Sequence, residues 1–427
     1  MIIQNTSLGF EPQKLKHAFG FKGNYLTELW QTAVLLDDGE YQAIGLGTQS
    51  VLWSDGSVFD QYGEDKGNRL MLSVSRYALD LLKGNMVCEP YQMLQGIFDA
   101  VYAYAKQIAK NLHLKRTFVL NALVPIDNAL WLLYAKQRKI KSFGNILNGE
   151  ENKGLLNIPL ISYATEAEEI KSLLTGGAGL IKIKIGSDPG KDNNLLKMLK
   201  WDKERLKEIH QIASGYTTPY TIDNKIRYYL DANGRYPNKA ILQSFLEYAD
   251  EIGALKQIVL FEEPFPEECL IDVKDIPVTV AMDESAHSIE DLENRIRLGY
   301  KAVALKPIAK TLSYSLKMLE IAKKHDISCF CADLTVNPNL VAWNQNVAAR
   351  LAPLQGMRIG AFESNGAQNY ENWDDMKAYS SCYHEPMQGV YLLDKEFYAK
   401  SGGIFDVSQH YVDVARRGIE KNNKGVI

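Results

Sequence analysis

The chain has little cysteine: five residues (Cys88, Cys269, Cys329, Cys331, Cys382) in 427, spaced neither like a disulfide framework nor like a zinc site. Cys329 and Cys331 fall in the strand-like "DISCFCADLT" and are expected to pack as small apolar residues. An excess of either charge is also missing. The 48 basic and 52 acidic side chains give a formal net charge of -4, no electrostatic footprint for nucleic acid or an anionic membrane. The start, "MIIQNTSLGFEPQK", lacks the succession of a signal peptide, and no run of about 18 consecutive apolar residues occurs. Internal repeats and low-complexity segments are absent too. A cytoplasmic protein is expected, with a small-molecule partner, further copies of itself, and neither nucleic acid nor membrane.

From about residue 155, strand-like runs alternate with helical stretches, the pattern of parallel β/α units. The strands are expected at 157–164, 180–186, 226–234, 258–265, 277–285, 302–308, 327–334 and 357–364. Eight such runs fit a TIM-type barrel better than an open sheet, although spacing alone leaves a doubly wound fold open. The polar "SGYTTPYTIDNK" (214–225) reads as a surface insertion. Residues 1–150 read as an α+β unit: "WQTAVLLDDGEYQAIGLG" is a hairpin turning at Asp37-Asp38-Gly39, followed by helices near 67–83, 91–112 and 124–138. The expected divisions are a capping domain at 1–150, a barrel at 151–366, and a segment at 367–427 that packs back on the cap.

"LIKIKIG" (180–186) raises the chemical question. Side chains at i and i+2 share a strand face, about 6.7 Å apart, so Lys182 and Lys184 point together while Ile181, Ile183 and Ile185 point oppositely. If the aliphatic face meets the helices, the lysines face inward. Near later strand ends stand Asp231 in "LDANG", Glu262 in "FEEPF", Asp283 in "MDES" and Lys306 in "LKP". Three carboxylates on successive strands suit one hard, oxygen-seeking cation, and magnesium is the natural candidate. Each residue alone has a plainer reading, as a helix cap, a snorkelling lysine or an ion pair. The ordered set is harder to explain that way.

In that order, the motifs "KIK", "LDANG", "FEEP", "MDES" and "LKP", with "IDNALWLLYAKQRKIKSFGNILNG" (126–149) before them, resemble the mandelate racemase and muconate lactonizing enzyme family of the enolase superfamily. The resemblance implies Mg2+ held by Asp231, Glu262 and Asp283, with Glu263 turned to the other face. It implies Lys184 and Lys306 as acid and base on opposite faces of the substrate, with Lys182 tuning Lys184. Asp333 after the seventh strand and Lys306 after the sixth resemble the lysine-lysine, muconate lactonizing branch. His287 reads as a loop residue. Substrate contacts are expected from Asn233, Asp333 and Glu363, and from Phe19, Phe21 and Trp53 of the cap.

The implied reaction is abstraction of a proton α to a carboxylate, giving an enediolate. An unperturbed lysine, with its pKa at about 10.4, cannot accept that proton at neutral pH, and a neighbouring ammonium or cation disfavours its charged form. Racemisation or epimerisation of a small carboxylic or amino-acid derivative is the leading expectation. Dehydration, cycloisomerisation and a catalytically silent metal-binding barrel stay open.

Overall fold

The computed structural model describes residues 2–21, 24–380, 383–406 and 408–418. The first sheet is antiparallel, in the order β1 (Asn5–Phe21), β2 (Asn24–Asp37) and β3 (Gln42–Gln49). Its second turn lies where the sequence placed it. Asp37 pairs with Gln42, Gly39 takes φ 89°, and the Asp38 carboxylate accepts the Glu40 and Tyr41 amides at 2.9 and 2.7 Å.

Helices α1 (Val51–Ser54), α2 (Gly56–Leu82), α3 (Pro90–Ile108) and α4 (Arg116–Arg138) cover this sheet. Two begin earlier than the periodicity suggested. Asp55 caps α2 through the Ser57 and Val58 amides, and α4 runs straight through Pro125. Close packing accommodates the proline: a Cβ on Gly45 of β3 would lie 2.0 Å from the Pro125 carbonyl oxygen. Although no run of about 18 consecutive apolar residues occurs, α4 is by length and mean composition apolar enough to cross a membrane. Yet 94% of its apolar window is buried in the molecule, and Asn121, Asp127 and Asn128 hydrogen-bond within it. It is a core helix.

The second sheet has ten strands: β4 (Gly154–Ile158), β5 (Leu160–Ile161), β6 (Leu180–Lys184), β7 (Arg227–Asp231), β8 (Ile258–Glu262), β9 (Val280–Met282), β10 (Ala302–Leu305), β11 (Ser328–Cys331), β12 (Gly360–Glu363) and β13 (Val390–Leu392). Their spatial order is β13-β4-β12-β11-β10-β9-β8-β7-β6-β5, parallel except for β13. The sheet is curled. β4 pairs with β12 at one end and β5 with β6 at the other, while Pro159 alone separates β4 from β5 in the chain. The single run expected at 157–164 is thus two short pieces. Proline has no N–H to offer a ladder, but its carbonyl still accepts the Lys182 amide at 3.0 Å.

Ile181, Ile183 and Ile185 join the core beneath the helices, whereas Leu180 belongs to a separate apolar cluster inside the curl with Leu156, Tyr229, Leu260, Ala304 and Phe330. Segment 214–225 is more than a surface insertion. Thr218 and Thr221 are buried, the Ile222 and Arg358 amides bond to Gly356 and Tyr220, and Tyr220 packs against the inner cluster. It docks against the approach to β12. The helix Gln409–Arg417 lies across β1 so tightly that a Cβ on Gly9 would meet the Val414 carbonyl oxygen at 1.9 Å.

Candidate active site

Parallel register sets the site's geometry: Lys184 of β6 is level with Asp231 of β7, which is level with Glu262 of β8. The chain then turns sharply. Asn233 (44°) and Glu263 (39°) take positive φ just past their strand ends, and Thr335 (54°) and Thr311 (72°) do so further along the loops that follow β11 and β10. Such backbone strain persists where surrounding structure over-determines it, and it clusters at functional sites.

Four ammonium groups meet the strand-end carboxylates, three of them on lysines that the sequence marked. Lys182 Nζ lies 3.0 Å from Asp231 Oδ2, 3.0 Å from Glu262 Oε2 and 3.1 Å from Glu363 Oε2, above the Tyr229 ring. Lys184 Nζ donates to Asp231 Oδ2 at 2.6 Å and to Asn233 Oδ1. Lys306 Nζ is 2.5 Å from Asp283 Oδ2 and 4.8 Å from the centre of the Trp53 ring. All these pairs point inward, none toward the surrounding helices.

Burial works to lower the pKa of Lys182, but Asp231, Glu262 and Glu363 outweigh it and hold the ammonium well above the usual lysine value. Glu262 moves the other way. Burial, then the charges of Asp231 and Asp283, push its carboxyl well above the ordinary glutamate range. For Asp231, burial is opposed by Lys182 and Lys184, and the net effect is well below the usual range; Asp283 is lowered likewise by Lys306 and Lys310.

Other expected residues divide. Asn233 donates its amide to Asp231 Oδ1 at 3.0 Å and its Nδ2 to Glu284 at 2.9 Å. The Asp333 carboxylate is engaged within the protein, accepting the amides of Leu334 and Val336 on one oxygen and of Asn365 on the other. Burial and the Glu363 charge push it up to about 7. Glu263 turns away, as expected, and takes the Asp283 and Ser285 amides at 2.8 and 3.1 Å, fixing the loop that carries Asp283. His287 bonds Glu267 at 2.6 Å, which also pairs with Lys115. Phe19 and Trp53 line the same cavity, of about 60 Å3, as Lys182, Lys184, Asp231, Asp283 and Lys306. The side chain of Phe21 lies outside the described residues.

Two participants were missed by sequence reasoning. Lys310, fully buried, donates to Asp283 Oδ1 at 3.0 Å and to the Asp283 carbonyl at 2.6 Å; its signal was the second lysine of "LKPIAK". Tyr229 donates its hydroxyl to Glu262 Oε2 at 2.5 Å, and inward phase with Asp231 would have found it.

In donor chemistry the residues fit a hard divalent cation, since every candidate ligand is a carboxylate and Glu262 Oε1 is buried without a hydrogen-bond partner. Among the described residues, however, no three carboxylate, imidazole or thiol groups are gathered at ligating range. The lysines hold the oxygens instead.

A curled, mostly parallel sheet with charged strand ends beneath an antiparallel unit defines the class. No family model and no curated protein matches the sequence. Solved structures do. A mandelate racemase/muconate lactonizing protein from Herpetosiphon aurantiacus matches over 92% of this chain and 96% of its own, at 19% identity and TM-score 0.66. A dipeptide epimerase from Enterococcus faecalis, complexed with Mg and a dipeptide, matches over 87% and 92% at 17% identity and TM-score 0.62. An N-succinyl Arg/Lys racemase from Bacillus cereus matches over 94% and 97% at 16% identity and TM-score 0.64. The chain shares their fold.

Proposed function

We propose that the protein is an enolase-superfamily isomerase of the lysine-lysine, muconate lactonizing type, removing and returning the proton α to the carboxylate of a small carboxylic or amino-acid derivative. The observation that carries this is the entry of Lys184 and Lys306 from β6 and β10 into one cavity lined by strand-end carboxylates. On this reading the sheet is a TIM-type barrel (151–366) closed through residues 154–161, the unit 1–150 caps it, and the segment 367–427 packs back on the cap.

Asp231, Glu262 and Asp283 would hold Mg2+, which when bound stabilises negative charge developing on the substrate carboxylate. Lys184 takes the α-proton on one face, and Lys306 returns one on the other, giving racemisation or epimerisation through an enediolate. Lys182 gathers Asp231, Glu262 and Glu363 and so keeps the carboxylates within one another's reach. Trp53 and Phe19 shield the reacting carbon from water. The superfamily's dehydration and cycloisomerisation reactions share the first of these proton transfers.

The test is magnesium-dependent incorporation of deuterium from heavy water at the α-carbon of N-acyl amino acids and dipeptides, followed by proton NMR. Exchange that requires magnesium and disappears in Lys184→Ala or Lys306→Ala supports the proposal. Magnesium-independent exchange, or exchange that survives both substitutions, sinks it.

A further inference from the structure

The charges lining the cavity are distributed unevenly. Among the described residues, every charged residue on its wall comes from the ten-stranded sheet and the loops that follow its strands, whereas the N-terminal unit contributes Leu15, Phe19, Leu26, Leu29, Ser50 and Trp53. Ser50 is the one aliphatic hydroxyl among them, and its amide is already bonded to Asn121.

The apolar wall is built into the hairpin. Lys14 pairs with Glu28 and Phe19 with Leu26, so five residue steps on β1 face two on β2. A bulge of that size bends the strand and re-aims its side chains. It is pinned from outside as well: Leu15 bridges Tyr370, the Glu371 amide bonds the Lys14 carbonyl at 3.1 Å, and Lys16 Nζ reaches the Ala367 carbonyl at 2.9 Å. Leu15 is thereby turned in beside Leu26 and Leu29, all three buried, while its neighbours Lys16 and His17 stay in water.

We infer that the substrate presents an uncharged, apolar group to the N-terminal hairpin, its carboxylate facing the lysines at the strand ends. This deepens, and rests on, the reading of the cavity as a site for a small carboxylate. A distal carboxylate or ammonium would be desolvated against leucines with no counter-charge among the described residues of that wall, which is costly, whereas an alkyl or aryl group gains from the same contact. The wall therefore selects leucine-like or phenylalanine-like derivatives over glutamate-like or lysine-like ones.

The experiment compares N-acetyl-leucine and N-acetyl-phenylalanine with N-acetyl-glutamate and N-acetyl-lysine on the magnesium-supplied full chain, by α-proton exchange and by calorimetric binding. The apolar pair should have kcat/KM about tenfold or more above the charged pair, the scale on which apolar pockets discriminate. Phe19→Arg, a change at a partly exposed position, should raise N-acetyl-glutamate relative to N-acetyl-leucine. Equal rates across the panel, or faster exchange of a charged member, overturn the inference. Should no compound exchange, the reaction fails and calorimetry decides the wall: tighter binding of the apolar pair upholds the inference, and equal binding or none overturns it.

Discussion

The inside of the curled sheet consists of two layers drawn from the same strands, and they differ completely in kind. The lower layer holds Leu180, Tyr229, Leu260, Ala281, Ala304 and Ala361; two residues further along, on the same faces, stand Lys182, Asp231, Glu262, Asp283, Lys306 and Glu363. A strand's period of two means that one step in phase separates a dry, close-packed floor from a charged ceiling. The floor supplies burial energy. The ceiling concentrates charges of both signs, four carboxylates among them, in a desolvated place, an arrangement that costs stability and is retained where chemistry needs it.

The sharpest test of that division lies among the lysines. Asp231 is shared by Lys182 and Lys184, and Asp283 by Lys306 and Lys310, so removing Lys184 or Lys306 leaves neither carboxylate without a cation. Lys184→Ala and Lys306→Ala should therefore fold normally while losing about a hundredfold to ten-thousandfold in α-proton exchange, the range for a positioned acid or base. Each should fail toward opposite enantiomers in single-turnover measurements. Loss of the same enantiomer in both would break the two-face reading.

Lys182 should behave differently from its neighbour two residues on. It alone links Asp231, Glu262 and Glu363, so Lys182→Met strands buried carboxylates and should cost about 3–5 kcal/mol in denaturant unfolding. Added magnesium should recover part of the loss. A Lys182→Met protein as stable as the parent without metal would remove the distinction between the two lysines.

On the floor, Leu260→Ala is expected to cost about 2–5 kcal/mol of stability, leaving the exchange rate per folded molecule near that of the parent. A loss of rate exceeding the loss of folded protein would show that the two layers are coupled.

Phase explains most of what was legible in the sequence. Lys182 and Lys184 were paired by counting in twos along one strand-like run, while Asp231, Glu262, Asp283 and Lys306 were picked out at later strand ends, and Glu263, one step out from Glu262, lies outside the cluster and holds the next loop. Asp333, an expected substrate contact, lines the same cavity, but backbone amides engage its carboxylate. On β11 the inward residues are Phe330 and Ala332, so Asp333 is out of phase and closes the turn, where its oxygens accept three amides. Illegible features depended on long-range packing: Pro125 inside α4 is tolerated because Gly45 lets the helix press on β3, and segment 214–225 looked like solvent-facing polar chain because its partners lie some 135 residues away, around Arg358. Lys182's three carboxylates come from β7, β8 and β12, and no local pattern announces that convergence.

The smallest expected effects concern how the ceiling is held beneath the N-terminal unit, and two carboxylates there should respond to pH with opposite signs. Asp127 of α4 accepts the Ser313 amide at 2.9 Å, and burial pushes its carboxyl up to about 7. The folded state thus keeps a proton that the unfolded chain releases near pH 4, so this contribution is full below that pH and is lost as pH rises toward 7. Burial would also raise Glu267, but His287 and Lys115 hold it down to about 2. Its contribution is present above the ordinary glutamate value and disappears as pH falls toward 2. Urea unfolding measured from acid to neutral pH should accordingly show Asp127→Asn flattening the decline between about pH 4 and 7, and Glu267→Gln losing on the order of 1 kcal/mol at neutrality but nothing at the acid end. If the two variants shift the profile in the same direction, the seam between sheet and N-terminal unit is not held by these opposed carboxylates, and packing of α4 alone fixes Trp53 over Lys306.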